Sequence, residues 1–340
     1  MTVTREAPQV REVSTSSLVP TPTVVAHRGA SGHRPEHTLD AYRTAIRMGA
    51  DDIELDLVAT GDGVLVARHD LELSVTTDVA DRPALAHLRR TLVVDGVEEH
   101  GWFVQDLTIH ELKTLAARER MPGTRPGSAS YDGAEGVPTL TEVLAMVGAE
   151  SVRRGRPVGV ALELKHAAHH AAAGLALDVP LLRELARQGL DHPWARVTLM
   201  CFEAPVLRRL AERTRLPVVQ LLDRGHAVTP DELDRIDEYA DGLGAHRSLV
   251  LPRDRDGAIG APSSLVRDAH RRGLTVHAWT VRAENRFLPT NLRRGSAPDA
   301  PGDMAGEVRA LLAAGVDGVI TDHPEEALSV VRERAATTVG

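Results

Sequence analysis

The chain reads as an α/β protein of the (β/α)8 TIM-barrel class with a small insertion after the second strand. Three observations point there. Eight strand-like runs alternate with eight helix-like runs, the pattern of a parallel sheet covered by helices. The 340 residues suit one closed barrel of about 250 residues plus additions. No Gly-x-Gly-x-x-Gly follows the first strand, which argues against the competing open, nucleotide-binding sheet.

Taken in order, strands are predicted at Thr23–His27, Asp52–Ala59, Val158–Lys165, Arg196–Phe202, Pro217–Leu222, Gly242–Ala245, Thr275–Thr280 and Gly318–Thr321. Helices are predicted at Thr38–Met48, Leu140–Val147, Val179–Gln188, Ala204–Arg213, Pro230–Tyr239, Ser263–Arg272, Met304–Ala314 and Glu325–Arg334. Their apolar residues recur with helical spacing, as at Val206, Leu207 and Leu210. Gly49, Gly189, Gly273 and Gly315 stand where helix C-caps belong. Residues 1–22, rich in Ser, Thr and Pro, read as a flexible tail, and residues 23–340 as the barrel domain. Gly61–Pro138 is too long for a loop; it contains a strand-like Val64–Arg68, an inserted helix predicted at Leu107–Arg120, and an inserted subdomain over residues 71–138. Arg282–Asp303 is a second long loop. Both lie on the side where barrels build their sites.

Composition excludes several classes. The net charge of −8 disfavours nonspecific nucleic-acid binding, and the single cysteine, Cys201, excludes an intrachain disulfide or a Cys-rich zinc site. No apolar run is long enough to span a membrane. Met1 to Thr23 lacks the apolar core of a secretory signal, so the expected location is the cytoplasm, or the periplasm or outside if the start is processed. Of the 40 basic residues only Lys113 and Lys165 are lysine, which leaves 38 arginines. Each lysine therefore needs an explanation. Lys113, in the inserted helix, reads as surface.

The first strand runs into His27-Arg28-Gly29, an acid/base group followed by a cation able to hold a phosphate bidentately. In the second strand, alternation puts Glu54 and Asp56 on one face and Ile53, Leu55 and Leu57 on the other. Two inward carboxylates repel each other and lose hydration, so they call for a cation. In the third strand, Ala161, Glu163 and Lys165 share a face; Glu163 would complete an all-oxygen site for a hard divalent ion. Three carboxylates, one divalent ion, Arg28 and Lys165 together carry one positive charge, matched to a phosphodiester monoanion. His69-Asp70 offers a second acid/base group with a neighbouring anchor. His166, His169 and His170 imitate a metal cluster but read as loop or helix-start residues. His37, His246 and His277 are candidates for the cavity mouth, and Cys201 for the core. Trp279 is either an apolar substrate wall or core.

Together these residues resemble the glycerophosphodiester phosphodiesterase family. The matching blocks are His27-Arg28-Gly29, Pro35-Glu36-His37-Thr38-Leu39, Gly49 to Asp56, Thr60-Gly61-Asp62-Gly63, His69-Asp70, Glu163-Leu164-Lys165, Trp279-Thr280-Val281 and Asp317 to Asp322, in the family's order. The resemblance implies hydrolysis of glycerophosphodiesters, such as glycerophosphocholine or glycerophosphoethanolamine, to an alcohol and sn-glycerol 3-phosphate. It implies His27 and His69 as the catalytic pair and Glu54, Asp56 and Glu163 as metal ligands. It assigns the phosphate to Arg28 and Lys165, and the substrate walls to Phe202, Trp279 and, more weakly, Gln220; Glu36 and Asp70 would support the site. The Pro-Glu-His-Thr form, with His37 where the commoner pattern has Asn, is similar to the periplasmic, calcium-using subgroup. The implied cofactor is one divalent cation, Ca²⁺ favoured and Mg²⁺ the alternative. The expected partner is a small-molecule substrate, without nucleic acid or integral membrane association, and a homodimer is left open. A phospholipase D-like activity on lysophospholipids and a non-catalytic binding protein on the same fold are the competing readings.

Overall fold

The structure, a computed structural model, describes residues 21–338. All but the last two residues of the tail read at 1–22 lie outside them. Among the described residues eleven strands occur in chain order: β1 (Thr23–Ala26), β2 (Asp52–Ala59), β3 (Leu65–Ala67), β4 (Arg90–Val94), β5 (Val97–Gly101), β6 (Gly159–Leu164), β7 (Val197–Cys201), β8 (Val218–Leu222), β9 (Gly242–His246), β10 (Thr275–Val281) and β11 (Gly318–Thr321). Eight of them, β1, β2 and β6 to β11, are parallel and run in the order β1-β11-β10-β9-β8-β7-β6-β2. Pairing of Val25 with Asp52 and Ala26 with Ile53 closes the ring. This is the barrel predicted, with strand ends displaced by a residue or so.

Strand alternation sorts the core. Val25, Ala161, Met200, Val219, Leu221 and Ile320 fill the barrel interior with Trp279 against them. The opposite set packs on the helices, for example Leu55, Leu162 and Leu199 against Leu144, Leu181 and Leu207. Each such fully buried leucine contributes about 1.5–3 kcal/mol. Helix ends follow local chemistry. The Thr38 hydroxyl accepts from Ala41 N to start Leu39–Met48, and Gly49, at φ 113°, ends it in a left-handed cap. A Thr139–Glu142 capping box starts Leu140–Arg154. That helix runs through Gly148 and ends at Gly155, two turns beyond the predicted Val147, because Gly148 does not adopt a positive φ.

The first barrel edge of β2 is divided. Its first residues pair with β1, and Leu57, Val58 and Ala59 pair antiparallel with β3. The chain thus turns back at the barrel mouth and delivers His69 there. Beyond it, Leu71, Leu73, Val79, Trp102, Phe103, Leu112 and Leu115 form a separate cluster, anchored to the barrel through Val58 and Val66. The predicted helix Leu107–Arg120 contracts to Ile109–Leu112. Its sequel forms strand-like bridges instead, Ala116 with Gly136 and Ala117 with Thr77. The hairpin β4–β5 was not foreseen, although Asp95-Gly96, both left-handed at φ 48° and 82°, is the dipeptide such a turn demands.

Candidate active site

The β-strand C-termini surround a cavity of about 450 Å³ lined by His27, Arg28, Glu54, His69, Glu163 and Lys165 on one side. Glu54 and Asp56 leave β2 on its inward face, and Glu163 leaves the adjacent β6, where it pairs in register with Asp56. One carboxylate oxygen from each lies within 4.8 Å of the others, and all three residues are buried. Glu54 Oε1 is buried with no hydrogen-bond partner. Burial, Asp56 and Glu163 push the Glu54 carboxyl well above the usual range. Burial also raises Glu163, to about 7, with Asp56 adding to it and Lys165 opposing it. Asp56 is held well below the ordinary value: burial works against this, but Arg28, His69 and Lys165 prevail. An oxygen-only, mutually repelling triad, with oxygens on Glu54 and Glu163 that accept no hydrogen bond, is a donor set that fits a hard divalent cation.

Each candidate acid/base histidine has a carboxylate behind it. His27 Nδ1 lies 2.6 Å from Asp322 Oδ1, and His69 Nδ1 lies 2.6 Å from Asp70 Oδ1. Arg282 and Arg125 keep Asp322 ionised against its burial, so Nδ1 of His27 donates and Nε2 keeps its lone pair. Burial, then Arg28, draw both rings down to about 4, so both are neutral at pH 7.

The cations are fixed as firmly. Arg28 sits at φ 58°, a left-handed conformation uncommon for a side-chain-bearing residue, and its amide donates to Glu54 Oε2 at 2.8 Å. Its Nη1 donates to Glu36 at 3.0 Å. The turn that follows depends on Gly29, where a Cβ would stand 2.6 Å from the Ala41 carbonyl carbon. Lys165 Nζ lies 2.8 Å from Glu163 Oε1, an ion pair whose angles fall outside hydrogen-bond geometry. Phe202 stands beside it, its ring centroid 5.4 Å from Nζ.

Comparison with known proteins is decisive at the family level. Residues 27–326 match the model of the glycerophosphoryl diester phosphodiesterase family. The chain belongs to that family. Glycerophosphodiester phosphodiesterase GDPD6 of Arabidopsis thaliana is 32% identical over 325 residues, covering 88% of this chain and 83% of the relative. The glycerophosphodiester phosphodiesterase of Haemophilus influenzae is 26% identical and covers 91% and 89%. A phosphodiesterase of Oleispira antarctica, solved with the product sn-glycerol-3-phosphate, shares the fold with a TM-score of 0.62 at 21% identity, over 92% of this chain and 97% of that one. The chain is thus a phosphodiester hydrolase of the glycerophosphodiester phosphodiesterase type.

Within this family site, the structure brings together His27, Arg28, Glu54, His69, Glu163, Lys165, Phe202 and Trp279 along one cavity. Trp279 Nε1 donates to Gly244 O, and its ring meets Phe202 and His246 edge-on at 5.6 and 5.3 Å. Gln220 is not brought there. Val219 and Leu221 take the inward face of β8, so alternation turns Gln220 outward. There its Nε2 donates to Phe202 O and Leu221 O, and its Oε1 accepts from Tyr239. His246 does line the cavity. His37 and His277 do not reach its mouth. His37 is buried behind Asp56, donating to Oδ2 at 2.9 Å and accepting from Tyr42 at 2.7 Å. His277 sits at the opposite end of the barrel, against Thr23. His166 and His169 bind the insertion through Asp95 and Gln105. His170 is wholly buried, both ring nitrogens unpartnered. Cys201 is buried as expected. Lys113 is exposed and pairs with Glu142.

Sequence reasoning gave no role to three residues. Asp322 ends the Asp317 to Asp322 block, and its pairing with His27 is visible only in the fold. Arg120, from the insertion, donates to Glu36 at 2.8 and 2.7 Å and pairs with Asp70 at 2.6 Å. Arg125 binds Glu284, Asp322 and Ser31 O at 2.6, 2.6 and 3.0 Å. Arg120, at the end of the predicted helix, and Arg125, in the Gly/Pro-rich stretch after it, are two arginines among 38 with no local signal to single them out.

Proposed function

We propose that the protein hydrolyses glycerophosphodiesters, glycerophosphocholine and glycerophosphoethanolamine among them, to an alcohol and sn-glycerol 3-phosphate in a metal-dependent reaction. The observation that carries this reading is the meeting, in one cavity, of two neutral, carboxylate-oriented histidines with a buried carboxylate triad and two fixed cations. Glu54, Asp56 and Glu163 would hold the divalent ion; the oxygen-only set suits Ca²⁺, which the subgroup resemblance favours, and Mg²⁺ as the alternative. When bound, such an ion neutralises the triad and stabilises charge on phosphoryl oxygens.

The chain's own residues do the rest. Arg28 and Lys165 bind the phosphodiester anion and favour its more highly charged transition state. His27 Nε2 accepts the proton of the attacking hydroxyl, whose oxygen bonds to phosphorus, Asp322 stabilises the imidazolium that forms, and one water is consumed in the net hydrolysis. The bond between phosphorus and the alcohol oxygen breaks, and that oxygen takes the Nε2 proton of His69, which must enter this step as the imidazolium, held by Asp70. Arg28 depresses both rings, so an anion paired with Arg28 removes that effect and brings each ring closer to exchanging a proton near neutral pH. The test is to incubate purified protein with glycerophosphocholine and measure glycerol 3-phosphate with and without a chelator. Product that vanishes on chelation and returns with Ca²⁺ or Mg²⁺ is expected. No product from metal-loaded protein across several head groups would sink the reading.

A further inference from the structure

The other side of the cavity is lined by further cations, of which only Arg282 serves the reaction above, through Asp322. Arg224 follows β8, Arg247 and Arg253 follow β9, and Arg282 and Arg286 follow β10, all facing the same space as the acidic triad. Met200, Leu221, Ile320, Trp279 and Phe287 lie on the walls that the two sides share.

The carboxylates available to these arginines are few. Arg247, buried, donates to Thr280 O at 2.9 Å, to Glu307 at 3.1 Å and to Phe287 O. Arg253 donates to Phe287 O at 2.7 Å and stands 3.9 Å from the same Glu307. One carboxylate therefore serves two guanidinium groups. Arg282 draws on Asp322, already committed to His27 and Arg125. Arg286 pairs with Asp299 at 2.5 Å. Among the described residues the Arg224 guanidinium has no carboxylate within ion-pair distance; the neighbouring Asp223 instead caps the Arg224 backbone amide at 2.6 Å. The crowding is felt within the cluster. Burial, aided by Arg253, Arg282 and Arg224, takes Arg247 down to about 10 despite Glu307. Such a surplus of positive charge is stabilised by an incoming anion, and guanidinium forks suit phosphate and carboxylate oxygens.

We infer that Arg224 and Arg253 form a second anion subsite, selecting glycerophosphodiesters that carry a further phosphate or carboxylate beyond the scissile diester. This rests on the phosphodiesterase reading above and names its substrate class. The cavity has room: its volume of about 450 Å³ falls within the range of about 300–1,000 Å³ that takes a drug-sized ligand. The scissile phosphoryl would lie at Arg28 and Lys165, the carbon linker along the apolar wall, and the second anion at the arginines. A cationic head group such as choline gains nothing on that side.

The metal-loaded full chain would be assayed with bis(glycerophospho)glycerol, which has two phosphodiesters, with glycerophosphoserine, and with glycerophosphocholine, at low and high salt. Because the arginines are partly solvated, the bisphosphodiester is expected to exceed glycerophosphocholine in kcat/KM by about tenfold at low salt, an advantage that shrinks as salt rises. Arg224→Ala with Arg253→Ala should erase that advantage through KM while changing glycerophosphocholine turnover less than about threefold. A matching advantage for glycerophosphoserine extends the subsite to carboxylates; its absence restricts it to phosphate, and either result sustains the subsite. Equal kcat/KM for all substrates, or an equal loss on all of them in the double variant, overturns it. If no substrate is cleaved, the phosphodiesterase reading fails instead.

Discussion

On the β1, β2 and β6 side of the cavity, every group that would touch the scissile phosphate has another group behind it. Asp322 holds His27, Asp70 holds His69, His37 holds Asp56, and Glu36 holds Arg28. On the β8 to β10 side, two arginines share Glu307, and Arg224 reaches into solvent with its guanidinium unpaired among the described residues. The first side has been preorganised, so little rearrangement is left for the reaction itself. The second is built to recognise, and its side chains can adjust to what arrives. Chemistry and selectivity are thus assigned to opposite arcs of one barrel.

The contrast breaks most visibly if the first side tolerates change. His27→Ala should lower kcat by about 10²–10⁴-fold, the usual worth of a general acid/base group; near-normal turnover would remove His27 from the chemistry. Asp322→Asn reaches the reaction by releasing His27 while also weakening the pairs with Arg125 and Arg282, so a loss of about 10–100-fold in kcat is expected, with KM nearly constant and an altered pH profile. A loss confined to KM would instead make Asp322 a binding residue. Lys165→Arg should cost about tenfold or more in kcat/KM, because the wider planar fork does not fit between Glu163 and Phe202. Full activity in that variant would mean that any cation suffices there.

The smallest effect lies outside both arcs and should leave activity alone. Burial lowers His170 from 6.5 to about 4. Its folded pKa lies below its unfolded one, so the unfolded chain binds the extra proton first. Stability is therefore unaffected above about pH 6.5 and falls as pH drops from there to about 4. His170→Leu should reduce that acid-induced loss by up to about 3 kcal/mol, at 1.36 kcal/mol per unit of pKa. Urea midpoints at pH 7 and 4.5 would show it; parallel shifts in variant and parent would refute it.

The barrel was legible because period-2 and period-3.6 patterns alternate cleanly from Thr23 onward. The carboxylate triad followed from the same alternation, applied to β2 and β6. The same rule keeps Gln220 out of the cavity, because its two neighbours Val219 and Leu221 take the inward face. The insertion was less legible for a different reason. Leu107, Ile109, Leu112 and Leu115 have helical spacing, but their burial against Val58 and Val66 and the bridges at Ala116 and Ala117 set the backbone instead. Arg120 and Arg125 could not be found from local pattern, since their partners Asp70, Glu36, Glu284 and Asp322 are neighbours only in space.

The bond between His27 and Asp322 joins residues 295 positions apart, across the seam where the first barrel strand meets the last. A growing chain would hold His27 long before its orienting carboxylate, 295 residues further on, has been made. Contacts this distant in sequence form late in folding. Recovery of turnover during refolding should therefore lag behind recovery of helical signal, and would serve as a clock for ring closure.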